Sequence, residues 1–339
     1  MLNGNAPEKF TSCGDEEAEI LLKSVLSEME EKLCSTGLSV YLGGSYGRGD
    51  GGVRLDRENG ILYNDLDFFV FARTSSVSAE KLLKDIARSY EEKLKVDVDF
   101  SRIMTIGDIK KNAPRLMMQE LKRGYRLVCG EDLLETYLPA NPAEKLPFSE
   151  ACRLLLNRGM GLLLAGEKIA AQSSEYDFIL RNINKAILGA CDALLLAEGQ
   201  YKWRITERLE WVKNSGLSDN CKKLYASAVE FKKSPAREVP QDLKISWLDA
   251  RALFRECVEK ICGISCEGMY CRCLKSGEVS LKNFIKYCIK TRTLPLAEMR
   301  RYSMDPAAVL ASEVYRELDG SLPENISNSK LYQRWLIFN

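Results

Sequence analysis

The chain has 339 residues, 45% of them hydrophobic and 29% charged, which is the balance of a globular protein large enough for two domains. Its 49 basic and 48 acidic side chains leave a net charge of +1, so whole-chain attraction to polyphosphate is excluded and a long nucleic-acid duplex is not the expected partner. There is no histidine, which rules out Ser-His-Asp and Cys-His triads and histidine-ligated zinc; chemistry must rest on carboxylates, Lys, Arg, hydroxyls, thiols or bound metal.

In chain order, apolar residues at helical spacing over 15–33 predict an amphipathic helix that stops at Gly37. Residues 38–42 form a short apolar strand that runs into Gly43-Gly44-Ser45-Tyr46-Gly47-Arg48-Gly49-Asp50-Gly51-Gly52, too rich in glycine for a helix interior and read as a loop. A second strand is expected over 62–71, with Phe68-Phe69-Val70-Phe71 apolar on both faces, as suits a central position. A helix follows over 78–94, with Ser78 as its N-cap. A third strand alternates over 95–104. Helix is expected over 109–126, broken at Pro114 and ending near Gly130.

Asn141-Pro142 and Pro147 mark a linker. Beyond it only helices are expected, over 150–166, 176–198, 207–213, 221–232, 247–261, 281–289 and 306–318. This pattern predicts an α+β head over 1–145 followed by an all-α domain over 146–339. The start of the chain shows no basic segment leading into an apolar run. The apolar stretches near 162–165 and 187–196 fall short of a bilayer crossing, so a cytoplasmic protein without membrane attachment is expected. The twelve cysteines are then expected to be reduced thiols. Cys257, Cys262, Cys266, Cys271 and Cys273 crowd together but lack paired C-x-x-C spacing, which favours plain thiols over a zinc site.

The chemistry-bearing pattern is Asp65-Leu66-Asp67. On a strand, residues two apart point the same way, so two carboxylates stand side by side. Like charges that close resist ionisation unless a cation lies between them, and Mg²⁺ accepts such oxygen ligands together with phosphate and water. The same alternation places Asp97, Asp99 and Ser101 on one face of the third strand. If the two strands are neighbours, three carboxylates can converge on one or two metal ions. In the glycine loop, backbone N–H groups and the Ser45 hydroxyl make an anion nest, and Arg48 adds a charged donor for phosphate oxygens.

Strand, Gly-Ser loop, Asp-x-Asp strand and a later acidic strand together resemble the nucleotidyltransferases of the DNA polymerase beta superfamily. The run Gly-Gly-Ser-Tyr-Gly-Arg-Gly-Asp is also similar to the loop of uridylyltransferases that modify nitrogen-regulatory proteins. The resemblance spans roughly residues 38–104. It implies a polymerase beta-type head, a small mixed sheet flanked by helices, and a Mg²⁺- or Mn²⁺-dependent enzyme. Such an enzyme moves a nucleoside monophosphate from a nucleoside triphosphate, ATP being the expected donor, to an acceptor hydroxyl. Carried over by position, Gly44 and Ser45 hold the β- and γ-phosphates, Asp65 and Asp67 bind metal, and Asp99 is the third ligand, with Asp97 as the alternative. The third acid also helps deprotonate the acceptor, which is a small molecule, a protein or tRNA. The stretch from Asp50 to Asp65 is longer than in compact members. A non-catalytic, antitoxin-like module that binds nucleotide without turnover is the alternative function.

Polar residues also interrupt the apolar helices of the second half. Arg181, Lys185 and Asp192 lie within about 40° of one another on one helical face. Relatives of the superfamily bring a Lys or Arg from a helical domain to the triphosphate, so Lys185 is the candidate and Arg181 the second. An ion pair of Asp192 with Arg158 or Lys185 is the structural alternative. Tyr201 and Trp203 are candidates for base stacking or core anchoring. The doublets Lys232-Lys233 and Arg300-Arg301 are expected to be solvated.

Overall fold

In the computed structural model, which describes residues 8–54, 60–74, 79–235, 242–262, 281–292, 294 and 306–338, the first apolar stripe forms helix α1 (Glu16–Leu33). The Asp15 side chain caps it by accepting from the Ala18 N–H at 3.0 Å. Leu22, Val25, Met29 and Leu33 bury its inner face. Gly37, at a φ of 71°, then turns the chain into strand β1 (Ser39–Leu42).

A single helical turn, α2 (Gly44–Gly47), follows β1 directly. Strand β2 (Leu66–Ala72) returns antiparallel to β1, and α3 (Glu80–Leu94) carries the chain to β3 (Val98–Phe100), which lies parallel to β2. The short β4 (Met104–Thr105) pairs with the far end of β2. Helices α4 (Ile106–Asn112) and α5 (Leu116–Arg123) precede β5 (Arg126–Cys129), which adds antiparallel to the other side of β1. The sheet order is β3-β2-β1-β5. One sheet face packs Leu66, Phe68 and Val70 against α1 and α3. The other packs Tyr41 and Phe71 against α4, α5 and the short α6 (Leu133–Tyr137). The result is a mixed α+β unit with a small mixed sheet.

Three expectations are corrected here. The second strand begins at Leu66, because residues 62–64 are engaged elsewhere: Leu62 bridges to Val53 and the N–H groups of Tyr63 and Asn64 donate to the Tyr46 hydroxyl. The third strand is two short strands, because Ser101 leaves β3 and its hydroxyl accepts from the Val70 N–H. The helix expected over 109–126 is broken at Pro114 as expected, but it ends at Arg123 rather than near Gly130, and Arg126–Cys129 is a strand. Its edges are Gly124 and Gly130, and its hydrogen-bonding partner is β1, far away in sequence. Ser78 lies outside the described residues, and Ala79 takes the N-cap position of α3.

The chain divides into two compact units, Met1–Pro142 with Glu230–Ala236, and Ala143–Val229 with Arg237–Asn339. The described part of the second unit is helical and contains no strand among the described residues. Its elements are α7 (Phe148–Ala170), α8 (Tyr176–Ala197), α9 (Ile205–Asn214), α10 (Asp219–Lys233), α11 (Leu243–Cys262), α12 (Leu281–Thr291), α13 (Pro306–Glu317) and α14 (Lys330–Phe338). The last turn of α10 groups with the first unit. Helix α7 packs against α8 and α13, and α8 against α11. Trp247 on α11, wholly buried, donates its indole N–H to the Leu162 carbonyl on α7 at 2.8 Å. No described helix is long and apolar enough to cross a membrane.

Candidate active site

The glycine loop is stitched to β2 at its near end and to the residues just before β2 at its far end. At the near end, the Gly43 N–H donates to the Asp67 carbonyl at 2.8 Å. The turn of α2 closes with Gly47 N–H to Gly43 O at 2.8 Å and Arg48 N–H to Gly44 O at 3.3 Å. Gly44 has a φ of 59°, and a β-carbon there would lie 2.0 Å from Asp67 Oδ2. Gly47 is equally constrained, since its β-carbon would meet the Leu42 carbonyl at 2.5 Å. Helix geometry leaves the first N–H groups of such a turn without an intrahelical acceptor, which suits them to an anion.

At the far end, Tyr46 does the stitching. Its hydroxyl donates to the Gly52 carbonyl at 2.8 Å and accepts from Tyr63 N–H at 3.0 Å and Asn64 N–H at 3.3 Å. The Asn64 side-chain oxygen accepts from the Gly52 N–H at 2.8 Å. Tyr46 is fully buried, and burial holds its hydroxyl well above the usual phenol range. The Val53 N–H reaches the Lys233 carbonyl at 3.5 Å, and Tyr63 packs edge-on against Phe231. These contacts set residues 63–64 beside the loop, and Asp65 follows at once. Tyr46 and Asn64 were not singled out from sequence; a tyrosine inside a glycine run, whose hydroxyl needs partners when buried, was the available signal.

The carboxylates are placed by strand register. In the parallel β2–β3 pair, Leu66 faces Val98, Asp67 faces Asp99 and Phe68 faces Phe100. Leu66, Phe68 and Val98 enter the core beside α1 and α3, which turns Asp67 and Asp99 together onto the other face. Asp65 precedes β2 by one residue and Asp97 precedes β3 by one; the Leu66 N–H donates to the Asp97 carbonyl at 2.9 Å. Partial desolvation raises the Asp99 carboxyl above its usual range, and the charges of Asp65, Asp97 and Glu91 raise it further. Among the described residues no three Cys, Asp or Glu side chains already stand as a metal-binding group. The donors present nonetheless suit a hard cation. They are oxygens only, and Mg²⁺ is commonly held by one or two carboxylates, with waters and substrate phosphate oxygens completing the shell.

The remaining expected residues lie as follows. Ser45 is half-buried in α2, where its carbonyl accepts from the Asp50 N–H at 2.9 Å. Arg48 is turned toward Glu120, 3.4 Å away, and Asp50, 4.0 Å away. Lys185 and Arg181 both lie on α8 of the second unit, and Arg181 pairs with Asp177 at 3.2 Å. For Asp192 the structure adds a partner that sequence pattern did not suggest: Arg208 Nε is 3.2 Å from its carboxylate, and the Tyr225 hydroxyl is 3.4 Å away. Tyr201 is buried rather than open for stacking; it accepts from Arg208 Nη1 at 2.6 Å and meets Trp203 edge-on. Lys233 pairs with Glu230 at 2.9 Å. Cys257 is buried with its sulfur 3.8 Å from that of Cys191. Cys266, Cys271, Cys273, Arg300 and Arg301 lie outside the described residues. In comparisons with known proteins, no family model, no curated protein and no solved structure matches the chain.

Proposed function

We propose that the chain is a metal-dependent nucleotidyltransferase of the DNA polymerase beta type. It would transfer a nucleoside monophosphate from a triphosphate, ATP foremost, to an acceptor hydroxyl. The register of Asp67 against Asp99, with Gly44 seated on the Asp67 carboxylate, carries this proposal. A glycine loop and an acidic strand that merely shared a surface would not need a residue without a side chain at their point of contact.

Bound Mg²⁺ or Mn²⁺ supplies positive charge to the triphosphate and lowers the pKa of the attacking hydroxyl. Asp65, Asp67 and Asp99 would hold it. Asp99 is preferred to Asp97 because it is the residue opposite Asp67. Gly44 and Ser45 present N–H and hydroxyl donors to the β- and γ-phosphates. The acceptor oxygen attacks the α-phosphorus, its proton passes to Asp99, and the bond to pyrophosphate breaks on the opposite side.

Transfer of label from an α-labelled triphosphate, with pyrophosphate release measured in parallel, tests this directly. Asp67→Ala is expected to abolish both while keeping the native circular dichroism spectrum. Full activity in that variant would remove the carboxylate assignment, and triphosphate binding without turnover in the unaltered protein would favour the non-catalytic module.

A further inference from the structure

Next to Asp99 a cavity of about 470 Å³ opens between α3 and β3. Its volume is that of a small-molecule site. Leu83, Ala87 and Phe100 provide apolar lining. Lys84 and Arg88, one helical turn apart on α3, line the same wall. Neither forms an ion pair among the described residues, whereas the other cation of the cavity, Arg102, is held by Asp108 at 2.9 Å. Two acids also line it, Glu80 and Glu91, and Glu91 accepts from the Val98 N–H at 3.3 Å. The cavity therefore has an apolar floor, two cations and two acids on its α3 wall, and Asp99, the residue opposite Asp67, among its β3 lining.

We infer that this cavity receives the acceptor, and that the acceptor is a small hydroxylated anion, its phosphate or carboxylate at Lys84 and Arg88 and its hydroxyl at Asp99. The inference rests on the nucleotidyltransferase proposal above and narrows the acceptor left open there. A neutral polyol leaves both cations unused. Folded protein surfaces and helical RNA are too large for a space of this volume. The transfer balances as written for the proposed reaction: the acceptor oxygen gains the nucleotidyl group, Asp99 takes its proton, and pyrophosphate departs from the triphosphate.

The test compares anionic probes, glycerol 3-phosphate, ribose 5-phosphate and gluconate, with their neutral counterparts glycerol and ribose and with a cationic aminoglycoside. Binding is measured by calorimetry on the full chain and on the Asp67→Ala variant, and transfer of α-labelled nucleotide on the full chain. The expected result is binding of an anionic probe to both proteins and label transfer to it by the active one. Lys84→Ala and Arg88→Ala, both at exposed helix positions, should each raise the probe's KM about tenfold, the worth of one charge-assisted hydrogen bond, with the KM for triphosphate unchanged. The phosphate and carboxylate arms identify which anion is taken. Transfer to neutral or cationic probes that the two substitutions leave unaltered would overturn the acceptor assignment alone. Absence of binding by every anionic probe would do the same. Binding of an anionic probe with no nucleotide transfer from any triphosphate would instead overturn the nucleotidyltransferase proposal, and the acceptor role with it.

Discussion

Gly44 lies so close to Asp67 that the smallest side chain would collide with its carboxylate, at 2.0 Å from Oδ2. The loop that would hold phosphate and the strand that would hold metal thus touch through a hydrogen atom. Gly44→Ala must also adopt a φ of 59°, which L-residues disfavour. It is expected to cost about 1–3 kcal/mol in urea denaturation and to abolish label transfer, since either the loop or Asp67 must move. Wild-type activity in a folded Gly44→Ala protein would show that this contact is dispensable.

Tyr46→Phe removes one oxygen that serves three backbone groups, at Gly52, Tyr63 and Asn64. Leaving buried groups unsatisfied costs about 1–3 kcal/mol, so the urea midpoint should fall accordingly. Hydrogen exchange should speed up at Tyr63 and Asn64 before it does in β1. Unchanged protection there would mean that the loop is held by other contacts.

In the helical unit, Arg208 is 3% exposed and reaches Asp192, Tyr201 and the Lys202 carbonyl. Arg208→Ala removes the positive end of a buried ion pair and should destabilise by up to about 3–5 kcal/mol. The combined Arg208→Met, Asp192→Leu variant should recover much of that loss. A double variant no more stable than the single one would show that packing of the guanidinium, rather than its charge, is what matters.

Two buried thiols predict how stability changes with alkali. Burial pushes Cys129 up to about 11 and Cys221 up to about 12, whereas thiols in an unfolded chain titrate near 8.5. Raised acids keep their protons longer in the folded state than in the unfolded one. Their stabilising contribution is therefore complete below about pH 8.5 and is lost as pH rises toward 11–12. Urea midpoints measured across that window should fall, and should fall less steeply in Cys129→Ala and Cys221→Ala. Parallel slopes in all three proteins would assign the effect to the buried tyrosines instead.

Helices were legible from sequence wherever an apolar stripe ran for several turns, as in α1, α3, α7 and α8. Strand β5 was not, because Tyr125-Arg126-Leu127-Val128-Cys129 continues the apolar content of α5 and the feature that makes it a strand is a distant partner, β1. That Asp67 and Asp99 lie away from the apolar face of their strands could be read from alternation alone. The neighbour of Asp67 could not, since spacing treats Asp97 and Asp99 alike and only the Leu66–Val98 register separates them. Arg208 was missed for a related reason: a partner on another helix leaves no trace in the periodicity around Asp192.

Phe231 and Lys233 close the far side of the glycine loop while lying well beyond the linker after Pro142. A gene fragment ending at that linker would encode every acidic residue of the candidate site and still lack the carbonyl that receives Val53. On the ribosome, the head would have to wait for the chain to be made as far as Lys233 before its loop could settle. The order of synthesis thus separates the appearance of the acidic strands from the completion of the loop that faces them.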